Sequence, residues 1–176
     1  EKMVTDAGFR PQAVPIKLLF PLLDGASLEE NEDIHTMWAA LLANAANPAT
    51  LDTVRPGFIA TLRQMAPDEA FLLNVIGTFF LSQEHLPLSQ QSPTIGTRDL
   101  TKHLKEIKPN EYTEDTLEVC LDGLEAERLV IRVPGMSHHL IWTARGAAFT
   151  RSTRPPTQWL STGPGSEDTP SAPIRN

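Results

Sequence analysis

The sequence predicts a mainly α-helical fold, in which an N-terminal helical layer packs on a winged-helix unit with a small two-stranded β-hairpin wing. Apolar residues recur at steps of three and four in several stretches, which is the period of a helix with one buried face. The runs LVIRV and HLIWT flank Pro134–Gly135, a pair suited to a tight turn between two strands. Three helices followed by such a hairpin are the parts of a winged helix.

Composition divides the chain into three parts. Residues 1–65 are the helical N-terminal part, residues 66–152 the winged-helix-like unit, and residues 153–176 a flexible tail rich in Pro, Ser, Thr and Gly. A tail of this composition buries too little apolar surface to offset the conformational entropy that it loses on ordering. Its Trp159–Leu160 pair is either a docking motif, a pair that packs on the domain surface, or a pair without a role.

The first two helices are expected in the N-terminal part. The first is short, is weakened by Pro21 and ends at Asp24–Gly25. The second begins with a capping box of Ser27 and Glu30 and ends at Asn47–Pro48. The apolar positions are Ile16, Leu19, Leu22 and Leu23 in the first helix and Ile34, Met37, Trp38, Leu41, Leu42 and Ala45 in the second.

Five further helices follow. The third has Pro56 in its first turn, and the fourth opens at Pro67 and runs to about Ser82. After a loop, Thr97 is expected to cap the fifth helix and Thr113 the sixth, and the segment ARGAAF forms a short closing helix. The buried positions are Phe58, Ile59, Leu62 and Met65 in the third, Leu100, Leu104 and Ile107 in the fifth, and Leu117, Cys120, Leu121 and Leu124 in the sixth.

Charge and cysteine content restrict the classes of function. The chain has 22 acidic and 15 basic residues, a net charge of -7 and a pI of about 5.2, the opposite of a usual nucleic-acid-binding protein. The single cysteine, Cys120, excludes an intramolecular disulfide and favours a cytoplasmic setting. No apolar run reaches the roughly 18 residues that span a bilayer. Because the chain begins at Glu1 without a methionine, we expect a further region upstream.

Common catalytic and metal-binding motifs are absent from the sequence. It has no GxSxG, P-loop, HExxH or GxGxxG pattern. Cys120 lies in an apolar stripe and is expected to be a buried residue, not a nucleophile. His138 and His139 would point to opposite faces of a strand, so the pair does not suit one metal ion. The sequence therefore predicts a protein without catalytic residues, metal or cofactor.

The helix that would read DNA in a winged helix is acidic. From Glu111 to Glu127 it has seven acidic residues and no basic one. Each carboxylate–phosphate pair at about 10 Å costs on the order of 0.4 kcal/mol in water. Several such pairs offset much of the roughly 5 to 8 kcal/mol of non-specific DNA binding. The predicted acidic interaction face is Glu114, Asp115, Glu118, Asp122 and Glu125.

The preceding helix is basic, with a charge of +2 between residues 97 and 108. The predicted basic interaction face is Arg98, Lys102, Lys105, Lys108 and Arg132. A basic and an acidic helix in one small domain either attract each other within the chain, pair between chains, or are both solvated surfaces.

Three parts of the sequence are specific enough to compare with a known family: VPIKLLFPLLDGASLEENEDIHTMWAALLANAANP, then VRPGFIATLRQMAPDEAFLLNVI, and the closing LEAERLVIRV with LIWTARGAAF. They resemble the bacterial Abi-alpha family, also described as DUF4393, from about Phe9 to Arg151. The resemblance implies a link to abortive infection, in which a phage-infected bacterium dies or stops growing before the virus spreads. It also implies an additional helical region upstream of Glu1, and it carries no established catalytic set.

We therefore expect a non-enzymatic interaction module of a bacterial antiphage protein of the abortive-infection type, whose winged helix contacts a protein. Its partner would be a phage component, a host component or a second copy, and neither nucleic acid nor a membrane. The alternative is a DNA-binding regulator that contacts backbone phosphates through Arg98, Lys102, Lys105, Arg132 and Arg145. An enzyme whose site no motif reveals would instead show a cleft with convergent titratable groups.

Overall fold

The computed structural model describes residues 10–84, 86–87, 89, 91, 94–108 and 112–155. These residues contain seven α-helices, a short 3-10 helix (Leu51–Thr53) and a three-stranded antiparallel sheet. The predicted mainly helical fold is confirmed. The helices are α1 (Ile16–Ser27), α2 (Glu32–Ala46), α3 (Pro56–Gln64), α4 (Pro67–Leu81), α5 (Thr97–Ile107), α6 (Glu114–Ala126) and α7 (Ala144–Ser152). The strands are β1 (Ile95–Gly96), β2 (Val130–Val133) and β3 (Met136–Trp142). Trp159 and Leu160 of the predicted tail lie outside the described residues.

The sheet has one strand more than the predicted hairpin. β2 and β3 meet at the Pro134–Gly135 turn, where the Gly135 φ of +78° favours glycine. β1, expected to be loop, pairs antiparallel with β3 through Ile95 and Leu140, so the strand order is β1-β3-β2. A strand of two residues shows no period in the sequence. β1 leads directly into α5, so Thr97 is the first residue of that helix and not its cap.

α1 extends further than the sequence predicts, and its buried side differs. The helix continues past Asp24–Gly25 to Ser27, with Pro21 inside it. Ile16 and Leu23, expected in the core, are 69% and 48% exposed. The buried residues of α1 are Leu18, Leu22 and Gly25. They recur at steps of four and three, so they lie on one side of the helix.

The start of α2 also differs from the prediction. Its cap is Asn31, whose Oδ1 accepts hydrogen bonds from the backbone N–H groups of Asp33 and Ile34, both at 3.1 Å. Ser27 lies in the last turn of α1, where its hydroxyl donates to a carbonyl of the same helix. The expected capping box of Ser27 and Glu30 was wrong because α1 extends over Ser27 and an asparagine caps a helix as well as a serine does.

Gly25 lets α1 approach the indole ring of Trp38 in α2. Trp38 is buried, and a Cβ built on Gly25 would lie 2.4 Å from Trp38 Cη2. Any side chain at this position would therefore overlap with the ring. The predicted stripe of α2 is confirmed, with Met37 and Leu42 half-buried and the others buried: Ile34, Trp38, Leu41 and Ala45.

Gly25→Ala is expected to lower the free energy of unfolding by about 1–3 kcal/mol, because the added methyl group overlaps with a packed ring. Urea denaturation followed by circular dichroism measures this change. The matched control is Gly57→Ala in α3, where a Cβ would meet only Arg145 Nη1, at 3.9 Å. There the better helix propensity of alanine should raise stability by up to about 1 kcal/mol. Equal stability of the two variants would contradict the close contact at Trp38.

The buried core runs through both predicted parts, 1–65 and 66–152. Phe58 of α3 meets Phe149 of α7 edge to face, with ring centroids 5.5 Å apart. Asn44 of α2 is buried, and its Nδ2 donates to the carbonyls of Ser152 and Arg154 at 2.9 and 3.0 Å. A buried amide with satisfied donors fixes the chain after α7 onto α2.

Both ends of α6 are set by local hydrogen bonds. At the start, Thr113 Oγ1 accepts from the Thr116 N–H at 3.1 Å, which confirms the predicted cap. At the end, Arg128 adopts a φ of +57°, and the N–H groups of Arg128 and Leu129 bond back to helix carbonyls at 2.9 Å. This turn leads directly into β2, so the side chains of β2 lie beside α6.

Candidate functional site

α6 separates an apolar side from an acidic side. The predicted buried stripe is confirmed and packs on α4. The acidic face comprises the exposed Glu114, Asp115, Glu118 and Asp122 and the half-buried Glu125. Val119 is apolar but 70% exposed. Its helical position places it between Asp115 and Asp122, so the outward side of α6 is acidic with one apolar residue among the carboxylates.

Arg132 was predicted to belong to the basic interaction face with residues of α5. In the structure it lies on β2 at the acidic face of α6. Its Nη2 donates to Glu118 at 2.9 Å and to Asp122 at 2.7 Å, and its Nη1 donates to Glu125. The backbone N–H of Arg132 also donates to Glu125, at 3.1 Å. One guanidinium therefore joins three carboxylates on successive turns of α6.

The three carboxylates stabilise the positive charge of Arg132. Burial of the guanidinium opposes its charge, but the hydrogen bonds to Glu118, Asp122 and Glu125 outweigh this effect and raise the pKa of Arg132. Arg132 offsets only one of the three negative charges, so the cluster keeps a formal charge of -2. A network of this kind holds its members more firmly than a single surface ion pair does.

Arg132→Gln is expected to lower the free energy of unfolding by about 1 kcal/mol in dilute buffer, because it leaves three carboxylates close together without a cation. The loss should shrink in 0.5 M salt, since screening weakens the repulsion. Arg63→Gln is the control, because the structure pairs Arg63 with one carboxylate, that of Asp24 at 2.7 Å, and both side chains are exposed. Thermal unfolding at two salt concentrations tests this, and an equal, salt-independent effect of both variants would contradict the network.

Cys120 is buried on the inner side of α6, which confirms its prediction as a core residue. Burial, together with the nearby carboxylates of Asp68 and Glu69, raises the pKa of the thiol to about 11. The thiolate fraction at pH 8 is then on the order of one in a thousand. A thiol in this state is a packing group and a poor nucleophile.

The native thiol of Cys120 is expected to react with Ellman's reagent at pH 8 about 100-fold more slowly than the thiol of the urea-unfolded chain. The raised pKa removes the thiolate, and burial blocks the reagent. Between pH 8 and pH 10 the native rate should rise about tenfold per pH unit, since deprotonation of a group with a pKa near 11 limits it. Because the sequence has one cysteine, unfolding must release one thiol per chain. Fast labelling of the native protein would refute the burial.

The basic residues of α5 lie next to the start of the acidic face. A surface cleft of about 500 Å³ is lined by α5 residues and by Glu114, the first residue of α6. Its lining residues are Arg98, Thr101, Lys102, Lys105, Glu106 and Glu114. Lys108 is not among them; its Nζ lies 4.6 Å from the ring centroid of Phe71 in α4. The structure thus brings three of the five predicted basic residues together, beside one end of the acidic face.

Arg145, one of the five candidate phosphate contacts, interacts with groups of its own chain. Its Nη2 donates to the Thr61 hydroxyl at 2.8 Å and lies 3.6 Å from Glu127. Its guanidinium carbon lies 6.0 Å from the ring centroid of Phe58. Since Arg132 is bonded to three carboxylates, two of the five candidate phosphate contacts are engaged within the protein.

A larger cleft, which no sequence pattern had indicated, lies between α4 and α5. Its volume is about 610 Å³. Asp99 and His103 lie four residues apart on α5 and are its titratable lining residues, and His103 Nδ1 is 3.7 Å from Glu106 Oε2. Ile107, expected in the core, is half-exposed at this cleft. Its apolar lining also includes Phe71, Val75, Phe79, Ile95 and Leu100. A cleft of this size and polarity can accept a small molecule.

Within the described residues, no group of three or more His, Cys, Asp or Glu side chains could hold a metal ion. None of the helices described there combines the length and the apolar character needed to cross a membrane. His138 and His139 occupy successive positions of β3, the first exposed and the second half-buried.

The fold and the surface define a mainly helical protein with a small antiparallel sheet and an acidic helix face bonded to an arginine. A comparison with models of protein families shows the family of the chain. The chain belongs to the abortive infection alpha family, whose model matches residues 2–139. This confirms the resemblance seen in the sequence, and the match includes α1 to α6. No curated protein and no solved structure matches the chain.

Proposed function

We propose that this chain is a non-enzymatic interaction module of a bacterial antiphage protein of the abortive-infection type, and that the acidic face of α6 is its contact surface for a basic protein partner. Family membership supports the biological context. One observation carries the contact surface: α6 presents Glu114, Asp115, Glu118 and Asp122 outward while its apolar stripe is buried. A surface of one sign attracts a partner of the opposite sign.

The chemistry of the face suits a protein more than a small cation. Val119, 70% exposed, lies between the carboxylates and offers an apolar contact. Protein interfaces combine apolar contacts near the centre with polar groups at the rim. Arg132 already holds Glu118 and Asp122 in place. A partner would therefore order few additional side chains when it binds, which lowers the entropy cost of association.

Residues 66–152 are proposed to form a winged-helix unit that is used for protein contacts. In support, α4, α5 and α6 are followed by the β2–β3 hairpin, and β1 precedes α5 and joins the same sheet. In such a unit α6 occupies the place of the helix that enters the DNA major groove. Because α6 carries the acidic face, lysine and arginine side chains suit it better than two rows of phosphates do.

A DNA-binding regulator is the second candidate, and one observation favours it. Arg98, Lys102 and Lys105 line a common cleft and could contact consecutive phosphates. Glu106 and Glu114 line the same cleft and oppose such contacts. With three phosphate contacts, the association constant for DNA would fall with roughly the 2.7th power of the salt concentration. Gel shifts at increasing salt therefore separate this candidate from the first.

Replacing Glu114 and Asp115 together by lysine is expected to abolish phage restriction by the full-length gene, with efficiency of plating rising about tenfold or more. These two carboxylates lie at the acidic face outside the Arg132 cluster, so their reversal repels a basic partner while leaving that cluster intact. The control is Glu32→Lys with Asp33→Lys, because Glu32 and Asp33 are the first two residues of α2 as Glu114 and Asp115 are of α6. Both changes replace two acidic side chains in the first turn of a helix.

Three results would count against the proposal. Equal phage restriction by the two double variants would show that the acidic face does not contribute to restriction. Loss of restriction in a stable Asp99→Asn and His103→Ala variant would favour an enzyme that uses the cleft between α4 and α5. Salt-sensitive binding of duplex DNA, lost when Arg98, Lys102 and Lys105 are replaced, would favour the regulator.

A further inference from the structure

The outward side of α1 carries a continuous apolar stripe. Ile16, Phe20 and Leu23 are 69%, 67% and 48% exposed, respectively. They follow one another at steps of four and three, so they lie on one side of the helix, opposite its buried residues. Scattered exposed apolar residues are normal on a protein surface, but a stripe of three neighbours on one helix marks an interaction surface.

A groove lies directly beside this stripe, between α1 and α3. Its volume is about 560 Å³, and both helices contribute to its walls. The buried Ile59 contributes to its apolar lining, and the exposed Phe20 belongs to its α1 wall. Its apolar lining residues are Phe20, Pro21, Pro56, Ile59 and Ala60. The same small patch therefore offers both a protruding aromatic ring and an apolar groove that can accept one.

Two of the charges on this patch, Lys17 and Asp24, complement one another under a twofold rotation. A third charge, Arg63 of α3, also lines the groove and bonds Asp24 of its own chain at 2.7 Å. Lys17 and Asp24 both line the groove and lie two helical turns apart on α1, roughly 10 Å along its axis. The midpoint between them falls at Phe20 and Pro21. When two α1 helices pair antiparallel about an axis through this midpoint, Lys17 of each copy faces Asp24 of the other. A patch that is complementary to itself is the requirement for a twofold-symmetric dimer.

We propose that α1 is the interface through which two copies of this chain pair antiparallel about a twofold axis, with Phe20 of each copy entering the groove between α1 and α3 of the other. One surface carries the apolar ring, the groove that accepts it and the two complementary charges. Pairing of identical copies requires such self-complementarity, whereas binding of an unrelated partner does not. Leu18, Leu22 and Gly25 are buried where α1 packs on α2, so the position of the exposed face is set by the core before pairing. This interface goes beyond the proposed contact at α6, which packs on other elements, α4 and β2.

Sedimentation of the full-length chain over a range of concentrations tests the dimer. The unmodified chain should dimerise, and Phe20→Glu should raise the dissociation constant about 30-fold or more, because it places a charge in the apolar groove. Met136→Glu is the control, since Met136 on β3 is an apolar residue that is 57% exposed and lies outside both the α1 stripe and the acidic face. It should leave the dissociation constant unchanged. A chain that stays monomeric at all concentrations overturns the proposal.

A charge exchange tests the antiparallel arrangement. In a dimer of the Lys17→Asp variant, the new aspartate of each copy faces Asp24 of the other. In a dimer of the Asp24→Lys variant, the new lysine of each copy faces Lys17 of the other. Each variant alone should therefore dimerise about tenfold more weakly. A mixture of the two variants restores two opposite-charge pairs and should form the mixed dimer at the original affinity. Asp24 also pairs with Arg63, but both side chains are exposed, so Asp24→Lys should still fold. Circular dichroism checks this, and a mixture that pairs no better than its components rules out the arrangement.

Discussion

Burial of α2 is the constraint on which the rest of the fold depends. From Met37 to Asn47 every residue is buried or half-buried, so the second half of this helix is enclosed by the rest of the protein. Several of these residues are alanines, which let neighbouring helices approach closely. Trp38 meets α1 at Gly25, and Asn44 bonds the chain after α7. An enclosed helix fixes the positions of its neighbours, and therefore also fixes the side of α1 that remains exposed.

The turn after α6 determines how the negative charges of that helix are stabilised. Arg128 in a left-handed conformation ends the helix, and four residues later Arg132 reaches back to the carboxylates of that same helix. The acidic helix is therefore not simply repulsive, since one cation from the adjacent strand stabilises its central turns. Arg132 is at the same time withdrawn from any phosphate, because leaving Glu118 and Asp122 unpaired would cost part of what a new contact gains. The same contact strengthens the acidic face and weakens the case for nucleic acid.

Sequence reasoning succeeded where a pattern spans many residues and failed where a single position decides. The stripe of α2 and the buried side of α6 follow from helical period, which tertiary structure rarely overrides in such long runs. The buried side of α1 depends on Gly25, whose lack of a side chain has no hydrophobic signal. β1 is too short to have a period, and the pairing of Arg132 depends on how β2 leaves α6. The cleft at Asp99 and His103 lies between two helices, so neither helix alone reveals it.

Screening by salt weakens the acidic face as a binding surface, and pairing of two copies through the stripe on α1 would compensate for this weakness. At physiological ionic strength the Debye length is about 8 Å, so exposed carboxylates attract a basic partner only at short range, and each contact contributes little. A single face of this kind steers encounters more than it sets affinity. Two copies joined through α1 would carry two such faces at a fixed separation, since α1 and α6 both pack on one continuous core. Binding of the second face then becomes intramolecular, which can raise overall affinity by about a hundredfold or more without any new contact. A partner with repeated basic surfaces would therefore bind the dimer more tightly than a single copy, whereas a partner with one such surface would gain no affinity.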